Sequence, residues 1–159
     1  MSASEPAVHA MCGIVGSGKT TIARRLAVEL PALRLSRDEW MLRLYALAYD
    51  DPAYVDSLGP CTDLMWDVAR DALAAGVAVV LDWNHWSRER RAEANERCVA
   101  LGVALHVHFL DADVETAVAR ALARVDAGSH VLDEAGVRHS ASILEVPGED
   151  EGIVMVRHR

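Results

Sequence analysis

The sequence predicts a doubly wound α/β fold, with five parallel strands, helices on both faces and a short helical lid. Three observations carry that expectation. Apolar runs of strand length alternate with amphipathic stretches of helix length from Ala7 onward. Val77-Ala78-Val79-Val80-Leu81 is continuously apolar and rich in β-branched residues, as a strand buried on both faces must be. Between the first apolar run and the first helical pattern stands Gly13-Ile14-Val15-Gly16-Ser17-Gly18-Lys19-Thr20, which reads G-x-x-x-x-G-K-T in a strand–loop–helix setting.

Taken in order, Ala7–Cys12 is expected as the first strand. Thr20–Leu30 follows as a helix with Ile22, Leu26 and Leu30 inward, ended by Pro31. Leu33–Leu35 reads as the second strand, and Ser36 or Asp38 as the N-cap of a helix over Glu39–Ala48. Asp50-Asp51-Pro52 and Ser57-Leu58-Gly59-Pro60 read as turns bounding a small insertion. Thr62 is expected to cap a helix to Ala75, with Gly76 closing it before the third strand. Ser87 caps the next helix, Val103–Leu110 is the fourth strand, and Asp113 caps a helix over Val114–Val125. A polar loop over Asp126–His130 and an acidic, turn-like tail over Glu145–Glu151 precede a last strand, Ile153–Val156.

At 159 residues, 52% hydrophobic and 25% charged, the chain reads as one domain over residues 1–159. No apolar run approaches a membrane span, and Met1–Pro6 lacks the character of a signal peptide. Cys12, Cys61 and Cys98 are far apart without a C-x-x-C pair, which suits reduced thiols in a cytoplasmic protein. A net charge of −8 disfavours an extended nucleic-acid surface, although a local basic cleft stays open as an alternative.

The Gly13–Thr20 loop carries specific chemistry. Backbone amides from Gly13, Val15, Gly16, Ser17 and Gly18 through Thr21 are expected to curl around phosphate oxygens, aided by the helix N-terminus. Lys19 would reach the β- and γ-phosphates, and the Thr20 hydroxyl is a ligand for Mg²⁺. Lys19 is the only lysine in the chain, the other fifteen cationic side chains being arginine. A compact ammonium is thus kept where a planar guanidinium does not fit. The expected ligand is a nucleoside triphosphate.

Three absences narrow the class. A guanine-specific switch would need Asn-Lys-x-Asp, and there is no second lysine. A motor would place Glu directly after the metal-associated Asp, whereas Trp83 follows Asp82. No repeat or arm is present to couple hydrolysis to movement. A small phosphotransferase remains. Asp38, just past the second strand, sits where a carboxylate would accept the proton of an attacking hydroxyl. Capping of the next helix is its competing use.

The segments Gly13–Thr20, Ser36-Arg37-Asp38, Val79-Val80-Leu81-Asp82-x-Asn84, Arg88-Glu89-Arg90-Arg91 and Arg120-x-x-x-Arg124 stand in the order and spacing of one group. They resemble the 5′-hydroxyl kinase domain of bacteriophage polynucleotide kinase, the zeta-toxin and chloramphenicol-phosphotransferase kinases, and the AAA-type kinases grouped with them. The likeness covers residues 8 to 130. It implies the phosphate-loop NTPase fold, ATP and Mg²⁺ as cofactors, and a hydroxyl acceptor, either a small molecule or, as the alternative, a polynucleotide 5′ end. A nucleotide-binding regulator is the alternative from another class. By resemblance Asp38 is the general base, and Arg120 and Arg124 lie on a lid over about 120–142. Asp82 lies near the metal or holds the substrate loop, and Arg37, Asp38, Trp83 and Asn84 face the acceptor. Met41 stands where the polynucleotide kinases carry a nucleic-acid-contacting arginine. The 146–151 stretch resembles a segment beside the base pocket, without its usual aromatic residue.

Trp40, Trp83 and Trp86 are expected either to wall the acceptor side or to pack at a core rim. His85 reads as a surface or substrate-contact residue. His106, His108, His130 and His139 show no metal-ligand spacing. Arg88, Arg90 and Arg91 read as a solvated helix start, with contact to an anionic acceptor as the alternative.

Overall fold

The computed structural model describes residues 5–47, 51–123 and 133–159. Its strands are β1 (Val8–Gly13), β2 (Leu33–Ser36), β3 (Val79–Asn84), β4 (Leu105–Leu110) and β5 (Val154–His158). They form a single five-stranded sheet in the order β2-β3-β1-β4-β5, with every pairing parallel. The helices are α1 (Lys19–Glu29), α2 (Arg37–Tyr45), α3 (Pro52–Ala74), α4 (Arg88–Ala100), α5 (Val114–Ala123) and α6 (Glu134–Ile143). Among the described residues no helix is long and apolar enough to cross a membrane.

Alternation along β1 explains why helices cover both faces. Val8, Ala10 and Cys12 join the large core with α3 and α4, whereas Met11 packs with Ala23 and Leu26 of α1 and Val80 of β3. β3 and β4 flank β1 on opposite sides, so the crevice at the carboxyl end of β1 is the switch point where such sheets hold ligands. A slip in the β1–β3 ladder sharpens this. Pairing runs from Ala10↔Leu81 directly to Met11↔Asn84, which leaves Asp82 and Trp83 unpaired with β1. Asp82 turns to the α1 side and bonds Thr20, and Trp83 joins the core on the α3–α4 side.

The expected turn at Ser57–Pro60 is absent: α3 is one helix of 23 residues with Pro60 inside it. Tyr54, Cys61, Met65, Ala69 and Leu73 are buried on both sides of the proline. That stripe keeps a helical period, and its burial outweighs the hydrogen bond Pro60 removes. Asp51, not Thr62, caps the helix, accepting from the Ala53 amide, while the Thr62 hydroxyl donates to Leu58 O. Neither expected cap of α2 operates. Ser36 occupies the N-cap position without a side-chain bond, and Asp38 lies exposed in the first turn. Ser87 and Asp113 cap as expected.

Arg91 is not part of a solvated helix face. It is fully buried, forks onto Glu151 at 2.7 and 2.9 Å, and donates to His85 O at 3.0 Å. With the Arg88–Asp150 pair it ties the acidic tail to α4. Replacing Arg91 by methionine strands the nearly buried Glu151 carboxylate and should cost about 3–5 kcal/mol. A melting temperature lower by roughly 10 °C is expected in a thermal scan, with most of it restored when Glu151 is also made leucine.

The histidines form a pattern that spacing along the chain conceals. Register places His9 beside His106 on neighbouring strands, with His108 and His158 further along. His9 Nδ1 lies 3.0 Å from His108 Nε2, and His108 Nδ1 lies 2.9 Å from His158 Nε2. Each contact needs one protonated and one bare nitrogen, so the row suits neutral rings. Burial lowers His9 to about 4 and His108 to about 3, with neighbouring histidines adding to it. His85, also buried, is lowered to about 4. In the unfolded chain these rings take up protons near pH 6.5, so their neutral burial stabilises fully above that pH and is lost as pH falls toward 4. Between pH 7.5 and 5 the melting temperature should drop by roughly 10 °C, mostly above the ordinary carboxylate range. A flat profile there would contradict neutral burial.

Candidate active site

The Gly13–Thr20 loop leaves the carboxyl end of β1 and enters α1. Gly16 (φ 81°) and Gly18 (φ 96°) occupy left-handed backbone that other residues resist. A Cβ on Gly16 would stand 2.5 Å from Ala117 O, because α5 packs directly on the loop. Ile14 seals that contact against Ala117, Val118, Ala121 and Val137. Lys19 Nζ donates to Ile14 O at 2.7 Å and Gly13 O at 3.1 Å, which holds the ammonium across the loop. The Asn84 side chain clasps Gly13 like a strand partner, donating to its carbonyl at 2.8 Å and accepting from its amide at 3.4 Å.

Thr20 and Asp82 meet, the hydroxyl donating to Asp82 Oδ1 at 3.2 Å. The other Asp82 oxygen is held by Arg34 at 2.7–2.8 Å, and Arg34 also grips Glu39. Burial pushes the Asp82 carboxyl up, and the Arg34 guanidinium opposes that. Arg34 was not foreseen, although its position follows from register. Ser36 pairs with Asp82, so Arg34 lies two residues back on the same face of the adjacent strand.

The expected helix α5 and the unexpected α6, both overlapping the span read as a lid, touch the loop at three points. Gly16 abuts Ala117, Ser140 Oγ accepts from the Val15 amide at 2.9 Å, and Arg120 Nη1 reaches Ser17 O at 3.5 Å. Arg124 and His130 lie outside the described residues.

Two clefts open at the carboxyl edge, on opposite sides of β1. One, of about 500 Å³, lies between the start of α1, the β4–α5 connection and the end of β5, with Ser17, Thr21, Asp113, Arg120 and His158 on its wall. The 146–151 stretch expected beside a base pocket does not line it and is tied to α4 instead. The other, of about 350 Å³, lies between α3 and α4 and is lined by Arg37, Trp66, Trp83, His85 and Arg90 among others. Trp66 of α3 takes the place expected for Trp40, which packs against the core, and Trp86 lies under the Arg90 guanidinium. His85 is buried rather than on the surface, its Nδ1 within 3.0 Å of Trp83 O.

The residues fit the groups the loop implies. Ser17 Oγ is buried without a hydrogen-bond partner inside the loop, as expected of a group that waits for a phosphate oxygen. Thr20 Oγ1 and Asp82 Oδ1 are hard oxygen donors at the separation of adjacent Mg²⁺ ligands or of a ligand and a bridging water.

Residues 8–147 match the family model described as AAA domain. The chain belongs to that family. No curated protein matches the sequence of this AAA-domain chain. Solved structures share its fold. The gluconokinase of Sinorhizobium meliloti 1021 superposes with a TM-score of 0.61 at 18% identity, covering 96% of this chain and 83% of its own. A chain of the Pnkp1/Rnl/Hen1 RNA repair complex gives 0.73 at 20%, covering 87% of the AAA-domain chain and 44% of its own. Chaetomium thermophilum Kti12, solved with ADP-AlF3, gives 0.68 at 18%, covering 94% and 88%. The five-stranded parallel fold is therefore one that these proteins share.

Proposed function

We propose that the protein is an ATP- and Mg²⁺-dependent phosphotransferase that moves the γ-phosphoryl group to a hydroxyl of a small-molecule acceptor. The observation that carries this reading is a second cleft, between α3 and α4, beside the one that the phosphate-loop residues Ser17 and Gly18 line. A nucleotide switch needs one; a transferase needs a second for the acceptor. In this reading Ser17, Lys19 and the loop amides hold the phosphates in the larger cleft, and Thr20 with Asp82 holds Mg²⁺. Bound there, the ion would neutralise charge on the phosphates. Asp38 takes the acceptor proton, and Arg120, already at the loop, meets charge on the transferring group. Arg124 is assigned to the same lid by sequence alone. Asn84 acts by fixing Gly13, and Trp83 by walling the acceptor cleft.

Gluconate and sugars enter as candidate acceptors through the gluconokinase likeness, and a 5′-hydroxyl oligonucleotide through the RNA repair likeness. Labelled MgATP with these acceptors tests the reading. A phosphorylated small molecule supports it, and a labelled oligonucleotide alone would replace its acceptor class. Tight nucleotide binding without transfer to any acceptor would mean a regulator.

A further inference from the structure

The cleft between α3 and α4 holds an arginine with an unmet buried donor. Arg37 Nε is buried and has no hydrogen-bond partner, and no ion pair to Arg37 exists among the described residues. Its guanidinium lies over the Trp83 ring at 5.7 Å. Burial lowers its proton affinity, the positive charge of Arg90 lowers it further, and the nearby Asp38 carboxylate, with Tyr54 and Cys61, opposes them without bonding the guanidinium. Nearby arginines behave differently. Arg34 holds Asp82 and Glu39, Arg91 holds Glu151, and Arg97 holds Asp63 and Glu93 at the rim of this cleft. Glu89 at the start of α4 also lines the cleft and is exposed. The cleft is thus zoned. Its outer acids are largely neutralised by Arg97, while two arginines face its tryptophan-walled interior without a carboxylate bonded to either.

Two like charges beside apolar rings are costly unless an anion joins them. A guanidinium fork suits the paired oxygens of a carboxylate or phosphate. We infer that the acceptor carries an oxyanion, carboxylate or phosphate, which Arg37 and Arg90 grip while its carbon frame lies against Trp83 and Trp66. Arg37 and Arg90 then select the substrate. This rests on the phosphotransferase reading for the word acceptor, but the anion site can be tested without turnover.

The full chain, saturated with the non-hydrolysable analogue MgAMP-PNP to occupy the phosphate loop, is titrated with gluconate, glycerol 3-phosphate and neutral sorbitol. Tryptophan fluorescence and calorimetry report binding. Gluconate or glycerol 3-phosphate should bind saturably and sorbitol should not, and whichever acid binds distinguishes carboxylate from phosphate. Arg37→Gln and Arg90→Gln should each weaken that binding by about tenfold or more, while AMP-PNP affinity stays unchanged. Two separate variants, each checked by circular dichroism, guard against a fold defect in one. Equal binding of sorbitol, no binding of either anion, or unchanged anion binding in both folded variants would overturn the inference. Arg37-dependent anion binding without any ATP consumption would sink the transferase reading and leave the anion site standing. Transfer to a neutral alcohol, unaffected by either variant, would do the reverse.

Discussion

Lys19→Ala should lower the rate of MgATP consumption by about 10²–10³-fold and weaken MgATP binding in calorimetry. The ammonium donates to two loop carbonyls at 2.7–3.1 Å, which keeps the positive charge at the loop. Lys19→Arg should fail almost as badly. The planar guanidinium is too wide for a loop closed on one side by α5, where even a Cβ at Gly16 would collide with Ala117. In a chain that otherwise uses arginine for every cationic side chain, that second variant is the more telling. Unchanged MgATP affinity in Lys19→Ala would remove the basis for the phosphate assignment.

Asp38→Asn should reduce transfer by about 10²–10⁴-fold, the usual worth of a positioned base. Nucleotide affinity should stay within about twofold, since Asp38 lines neither cleft, the one proposed for the nucleotide included. The residue is exposed in the first turn of α2, and α2 needs no cap from it. A stability effect therefore should not obscure the kinetic one. A loss in kcat with KM for MgATP unchanged fits a group that acts on the acceptor hydroxyl alone. Near wild-type turnover in Asp38→Asn would move the base elsewhere.

Much of the architecture was legible because local chemistry and fold agree. Gly16 and Gly18 need left-handed backbone, the strand runs need burial, and Ser87 and Asp113 need only their neighbours to cap a helix. What escaped depends on residues distant in sequence. Arg91 looks solvated in Arg88-Glu89-Arg90-Arg91 until Glu151, sixty positions on, returns to meet it. Arg34 acquires its role only when β2 lies beside β3, and the histidine row only when β1, β4 and β5 are adjacent. Pro60 misled differently. The turn signal was real locally, but the buried stripe from Tyr54 to Leu73 crosses it with helical period and could have been counted. For the site, Lys19, Thr20, Asp82 and Arg120 lie together at the loop, residues that the motif and the resemblance singled out. Trp66 and the unpartnered Nε of Arg37 required the packed structure.

The most direct test of phosphoryl transfer is ³¹P NMR of MgATP incubated with the full chain and a panel of acids, sugars, nucleosides and a 5′-hydroxyl oligonucleotide. With a small-molecule acceptor the γ-phosphate signal should decline, ADP should grow in equal measure, and a phosphomonoester resonance should appear, absent with Lys19→Ala and Asp38→Asn. ATP that stays intact with every acceptor, or turns over only to inorganic phosphate at the same rate in Asp38→Asn, would contradict phosphoryl transfer to an acceptor.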